Sequence, residues 1–267
     1  KLATTEWSKA RRRGVLIDAN QNGEGKTIAS VYSVRPRPGA PVSTPLAWDE
    51  VGPDLDPAQF TMQAVLERVE RLGRRGSNLG ALLVAQRRGD LAGTITHVLS
   101  NRADAQGLAL ALAEGVATSI VDHKAYASRD AFERAMSTEI DRGEPALVVL
   151  AGFLRVLGAA FVDHYAGRMI NIHPSLLPAY AGEHTHRRAL DDGAREHGAS
   201  VHFVTPDVDG GPIIVQGRVD VLPGDDEASL ATRVLAVEHR ILPQAVDLYC
   251  QRRLRIVDGR VQVLPAQ

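Results

Sequence analysis

Between residues 95 and 172 short apolar runs alternate with longer amphipathic ones, and this alternation constrains the fold more than any other feature. Residues 95–100, 117–121, 146–152 and 169–172 read as strands, and 103–114, 128–142 and 157–165 read as helices between them. Strands joined by helical crossovers run parallel, so the pattern predicts an α/β fold with a doubly wound, mostly parallel sheet. Ligands in such folds gather at the carboxyl ends of strands. That rule points to Gly152-Phe153-Leu154-Arg155 and to whatever follows residue 169.

The latter stretch is Met169-Ile170-Asn171-Ile172-His173-Pro174-Ser175-Leu176-Leu177-Pro178. Alternate strand residues face one side, so Asn171 and His173 are expected to point together. Pro174 and Pro178 end the strand and stiffen its exit. An amide can donate to an oxygen that gains charge, and an imidazolium can donate a second bond or a proton, a pairing suited to acyl transfer. The tripeptide alone also describes a turn-forming Asn beside a surface His. Residues 200–212 read as a half-buried strand, a turn at Asp209-Gly210-Gly211-Pro212, and the start of another strand. An Asp on that turn can orient an imidazolium or relay a proton through water, or it can make an Asx turn and nothing more.

The remainder reads as strand 213–221, a long helix 226–252 bearing Glu238, and a hairpin at 254–263 around Asp258-Gly259. With 44% apolar and 24% charged residues in 267, the chain has a globule's composition. A formal charge of -1 gives no basic field to draw nucleic acid, although Arg11-Arg12-Arg13 is a local patch. The one cysteine, Cys250, forbids an internal disulfide and points to a reducing, cytoplasmic setting. No stretch approaches the roughly 18 apolar residues of a membrane span, and the first residues carry no signal-peptide core, so neither membrane nor export is expected. Nine histidines are present, with His184 and His186 two apart, but no cysteine or carboxylate cluster completes a recognised metal spacing. No metal is expected.

Residues 1–55 have another texture: β-rich runs at 14–18 and 27–35, then the proline-rich loop 35–41. Gly23-Glu24-Gly25-Lys26-Thr27 lacks the first glycine of a phosphate loop, because Asn20 stands there, and a strand rather than a helix follows. Residues 56–73 read as a helix. Gly73-Arg74-Arg75-Gly76-Ser77-Asn78-Leu79 then opens a helix over 77–88, where glycines before a helix start let amides approach an anion or simply cap the helix.

Residues 171–178, Gly182-Glu183-His184-Thr185-His186, His197-Gly198 and 200–211 together closely resemble glycinamide ribonucleotide formyltransferase, over about residues 75–263. The resemblance implies formyl transfer from 10-formyltetrahydrofolate, as co-substrate, to the amine of glycinamide ribonucleotide in purine biosynthesis. It implies Asn171, His173 and Asp209 as the catalytic group, with His202 in support. Gly76, Ser77 and Asn78 would bind the substrate phosphate, and Glu238 would contact the ribonucleotide. Folate contacts would fall to Arg129, Leu154, Arg155, Val156, Leu157, Thr205 and Asp207.

One departure stands upstream of the phosphate loop. In the family that loop follows a central apolar strand, whereas residues 63–72 here read as charged helix. The expected division is therefore 1–73 as an N-terminal segment and 74–267 as a formyltransferase domain without its usual first strand; residues 14–18 or 27–34 are candidates to fill the gap. The N-terminal segment resembles the carboxyl-terminal piece of the ligase D polymerase domain, through residues 17–22, 32–36, 40–46 and 48–51. In that family the residue matching Asp18 is a metal carboxylate. Its paired carboxylates have no counterpart here, so polymerase chemistry is not expected. Two alternatives remain: a related folate enzyme, such as formyltetrahydrofolate hydrolase or methionyl-tRNA formyltransferase, and a non-catalytic fusion.

Overall fold

A computed structural model describes Ala3–Thr4, Val15–Leu16, Asp56, Gln59, Thr61, Ala64 and residues 77–266. The chain divides into two compact units, Lys1–Leu72 and Gly73–Gln267. In the first, β1 (Ala3–Thr4) and β2 (Val15–Leu16) pair in parallel, Ala3 with Val15 and Thr4 with Leu16. Strand β2 falls within the run 14–18 expected to be extended. The expected strand 27–35, the loop 35–41 and most of the helix 56–73 lie outside the described residues.

The second unit follows the predicted alternation. Helix α1 (Asn78–Arg88) starts at Ser77, whose hydroxyl accepts from the Gly80 amide, and stops at Gly89 with φ 77°. Then come β3 (His97–Ser100), α2 (Gln106–Ala113), β4 (Ala117–Ile120), α3 (Arg129–Asp141), β5 (Val148–Leu150), α4 (Ala159–His164) and β6 (Met169–His173). Strands β3, β4 and β5 are shorter than the apolar runs that contain them, while β6 runs one residue past its run, to His173. Helix α5 (Thr185–Asp191) occupies a stretch for which the apolar pattern predicts no element. After it come β7 (Glu196–Phe203), β8 (Ile213–Asp220), α6 (Glu227–Cys250) and the hairpin β9 (Leu254–Val257) and β10 (Arg260–Val263).

Four strands form a sheet in the order β5-β6-β7-β8, with β5 and β6 parallel and the other pairs antiparallel. Strands β3 and β4 form a separate parallel pair. Leu99 of β3 and Val148 and Leu150 of β5 nevertheless pack on one apolar cluster with Phe132, Met136, Phe161 and Tyr165. Ile95, just before β3, and Val149 of β5 pack on the opposite face, against Ile170, Val201 and the buried side of α6. The β3 segment, with the residue leading into it, and β5 thus share both apolar layers, yet among the described residues no ladder joins the two strands.

Strand β7 corrects one expectation. It begins at Glu196 rather than 200, and from His197 onward every residue is buried, so it is a central strand covered on both faces and not a half-buried one. Its cover on one side is α6, which lies close because β8 carries Gly217: a Cβ there would sit 2.2 Å from Val237 Cγ1.

Candidate active site

Strands β6 and β7 pair with Asn171 opposite His202 and His173 opposite Ser200. Ile170, Ile172, Val201 and Phe203 go to the core behind them. Because directly opposed residues share a face, Asn171, His173, Ser200 and His202 emerge together on the other side. Asp209 joins them from the turn after β7, where it takes a left-handed φ of 54°. Gly211 lets that turn close: a Cβ there would lie 1.8 Å from the Phe203 carbonyl oxygen.

His173 is 6% exposed. Its Nε2 lies 3.0 Å from the Tyr180 carbonyl oxygen and its Nδ1 lies 3.3 Å from Asp209 Oδ2. Both ring nitrogens face acceptors. His202 lies with Nδ1 2.9 Å from the Phe203 carbonyl, which makes Nδ1 the protonated nitrogen. Its Nε2 is 3.4 Å from Asn171 Nδ2 and 3.6 Å from Asp209 Oδ1. Asp209 also accepts from the Gly182 amide at 2.8 Å. The structure therefore brings four of the expected residues together: Asn171 and His202 share a hydrogen bond, and the Asp209 carboxylate lies within ion-pair distance of both His173 and His202.

Burial lowers the His173 pKa, and the Tyr180 carbonyl and the Asp209 carboxylate offset this only in part. Burial alone would raise Asp209, but His202, the Gly182 amide and His173 together hold its carboxyl below the ordinary value. Asp209 is a firm carboxylate beside an imidazole that burial keeps close to neutrality.

The exit of β6 is fastened from behind. Ser200 Oγ donates to the Ser175 carbonyl at 2.7 Å and accepts from the Leu177 amide at 3.0 Å, while Gln216 Nε2 donates to the Leu177 carbonyl at 2.8 Å. The Leu177-Pro178 peptide is cis. This loop carries Tyr180 back to His173, a contact that the sequence pattern missed because it uses a backbone carbonyl.

A second group forms where α1 meets α6. Asn78 Nδ2 donates to Glu238 Oε2 at 2.6 Å, Glu238 is 7% exposed, and burial raises its pKa against the pull of that bond. Ser77 caps the same helix, and Gly76 lies outside the described residues. Among the described residues this group makes no hydrogen bond to Asn171, His173 or Asp209.

The remaining expected residues line two loops and one helix start. Leu150 of β5 is paired with Asn171, so the loop after β5 leaves the sheet beside the His173 group. On it Leu154 and Val156 are 95% and 65% exposed, Arg155 lies with its guanidinium carbon 5.6 Å from the centre of the Phe132 ring, and Leu157 packs on the core. Arg129 opens α3, with Nε 3.7 Å from Glu133 Oε1. Thr205 and Asp207 lie on the loop to Asp209, where the Gly210 amide donates to the Asp207 carbonyl at 3.0 Å. Among the described residues no group of three or more His, Cys, Asp or Glu could hold a metal ion, and no helix is long and apolar enough to cross a membrane.

Residues 71–246 match the formyl transferase family, and residues 1–75 match the LigD primase-polymerase domain. The phosphoribosylglycinamide formyltransferase of Escherichia coli is 50% identical over 198 residues, covering 72% of this chain and 92% of that protein. The solved glycinamide ribonucleotide transformylase 1 of Symbiobacterium toebii is 44% identical with a TM-score of 0.69, covering 70% of this chain and 89% of the other. The solved phosphoribosylglycinamide formyltransferase of Coxiella burnetii is 46% identical with a TM-score of 0.66, covering 70% of this chain and 88% of the other. A match of this extent, on a chain with the alternating topology and the Asn171, His173 and Asp209 group described above, means that the chain belongs to the formyl transferase family.

Proposed function

We propose that the chain transfers a formyl group from 10-formyltetrahydrofolate to the primary amine of glycinamide ribonucleotide, a step of purine biosynthesis. The observation that carries this is the cluster of Asn171, His173, His202 and Asp209 at the carboxyl end of β6, with one carboxylate within ion-pair distance of two imidazoles. The amine attacks the formyl carbon, and the carbonyl electrons move to oxygen. Asn171 Nδ2 donates to the oxyanion, and a protonated His173 donates through Nδ1–H, which in the resting site is held to Asp209 only at an ion-pair distance of 3.3 Å. Burial opposes charge on His173 in the resting site, and the oxyanion supplies the counter-charge that favours it. The attacking nitrogen then sheds a proton and N10 of the folate gains one, the oxyanion electrons re-form the carbonyl, and the carbon–nitrogen bond to the folate breaks with its electron pair going to N10. Asp209 relays this proton through water, and His202 keeps Asp209 and Asn171 in place.

Gly76, Ser77 and Asn78 bind the phosphate at the start of α1, and Glu238 binds the ribonucleotide. Arg129, Leu154, Arg155, Val156, Leu157, Thr205 and Asp207 bind the folate. The bare apolar side chains of Leu154 and Val156 suit a flat ring system, and the Arg129 guanidinium suits an acidic tail. Residues 74–267 form the catalytic domain, without the first strand usual in the family, and residues 1–73 form an appended segment similar to a polymerase fragment. The half-buried edges of β3 and β5, against the buried β6, support that assignment. The partners are small molecules and the setting is the cytoplasm.

The test is a spectrophotometric assay of the full chain with a 10-formyl folate, with and without glycinamide ribonucleotide. Release of deformylated folate should need the amine and should vanish in His173→Ala. Release without the amine would instead mark a hydrolase, and no release from a cooperatively melting chain would mark an inactive fusion.

A further inference from the structure

We propose that Glu133 is a positioning residue for the formyl donor, tying the loop after β5 and the Arg129 guanidinium into one wall; this rests on the folate assignment above. Glu133 is 6% exposed, a costly place for a carboxylate unless it is paired. Its Oε1 accepts from the Gly158 amide at 2.9 Å and lies 3.7 Å from Arg129 Nε. Gly158 directly follows Leu157 and caps α4. A Cβ at Gly158 would sit 2.7 Å from Glu133 Oε2, so the carboxylate fills the space that a side chain would need. One residue earlier on α3, Phe132 carries the Arg155 guanidinium over its ring. The loop is thus pinned to α3 at two points, Arg155 and Gly158. Leu154 and Val156 are left outward and free to meet a ligand. Glu133 itself lies behind the wall. It acts through Arg129 and the loop.

Glu133→Ala removes its ties to the Gly158 amide and to Arg129, leaving Arg155 on Phe132. Glu133→Gln keeps an oxygen for the Gly158 amide but removes the charge beside Arg129. Loss of a hydrogen bond to a charged group predicts a KM for the formyl donor about tenfold higher in the alanine variant and about threefold higher in the glutamine variant. Turnover number and ribonucleotide KM should stay within about twofold, since neither change touches the reacting atoms. Amide exchange at Gly158 should quicken about tenfold in Glu133→Ala and stay near wild type in Glu133→Gln. Unchanged Gly158 exchange in the alanine variant overturns the proposal, as does an equal rise in both KM values. If the alanine variant does not fold, the glutamine variant decides, and an unaltered donor KM there overturns it.

Direct calorimetric binding of a 10-formyl folate separates this idea from the proposed activity. Wild-type binding without transfer sinks the activity alone, and weaker binding in the variants then still supports Glu133. A wild-type chain that binds no folate overturns both.

Discussion

Asp209 sets Oδ2 3.3 Å from His173 Nδ1 while its other oxygen lies 3.6 Å from His202 Nε2. One carboxylate therefore spans two imidazoles on neighbouring strands, and only its charge can serve both. Asp209→Asn retains an oxygen for the Gly182 amide, so the turn should hold. Turnover should fall by roughly a hundredfold or more, the scale of lost acid–base assistance. Ribonucleotide KM should change little, because the group acts mainly in the transition state. Steady-state kinetics check this, and unchanged turnover removes Asp209 from the proposed mechanism.

Glu238 presents the opposite compromise. Its carboxyl pKa is raised by burial, so the folded state favours the protonated form more than the unfolded chain does. Stability from this group is present below its unfolded pKa and is lost as pH rises through the folded value. At neutral pH Glu238 therefore subtracts from the stability of the fold. Glu238→Gln removes the charge, and its amide can donate to Asn78 Oδ1, which is buried without a partner. The expected result is a melting temperature a few degrees higher, together with a ribonucleotide KM at least about tenfold higher. A variant that melts lower, or that binds ribonucleotide normally, contradicts the assignment.

The sequence pattern exposes those parts of the molecule that depend on neighbours along the chain. The alternation over 95–172 predicts β3 to β6 in order, and the two-residue spacing of Asn171 and His173 predicts their shared face. The turn chemistry of Asp258-Gly259 likewise matches the β9–β10 hairpin, with both residues at positive φ. Other features depend on residues distant in sequence. The Glu133 to Gly158 bond and the Tyr180 carbonyl on His173 join side chains to backbone groups, which have no sequence signature. Helix α5 is short, is preceded by His184 with φ 57°, and buries only Thr185 and Ala189, too little to show as periodicity. The burial of β7 escapes the pattern because Ser200 and His202 are polar residues whose Oγ and Nε2 find partners distant in sequence, the Ser175 carbonyl and Asn171.

His186 and His197 supply a pH response. His186 Nδ1 lies 3.1 Å from His197 Nε2, and His197 is fully buried. Burial, then the neighbouring His186 and His173, push the His197 pKa down to about 4. The unfolded chain therefore binds more protons than the folded one between the ordinary value of 6.5 and about 4. Stability is fully present above that window and falls as pH drops through it, by up to about 3 kcal/mol from this one group. Urea midpoints from pH 7.5 to 4.5 should fall less steeply in His197→Gln than in the wild type. Parallel slopes would show that His197 takes no part.

The separation of β3 from β5 predicts an uneven pattern of local opening. Strand β6 is flanked by β5 and β7, and four of its five residues are buried. Strand β5 is paired to β6 alone among the described residues, and all three of its residues are only half-buried; β3 is paired to β4 alone and is half-buried throughout. Backbone groups without a ladder partner exchange with water through smaller openings than those locked between two neighbours. Amides of β6 and β7 should therefore exchange at the global unfolding rate, and those of β3 and β5 at least about tenfold faster. Equal protection across all four strands would mean that both edges are covered in solution, and that the sheet is completed by a strand beyond those described.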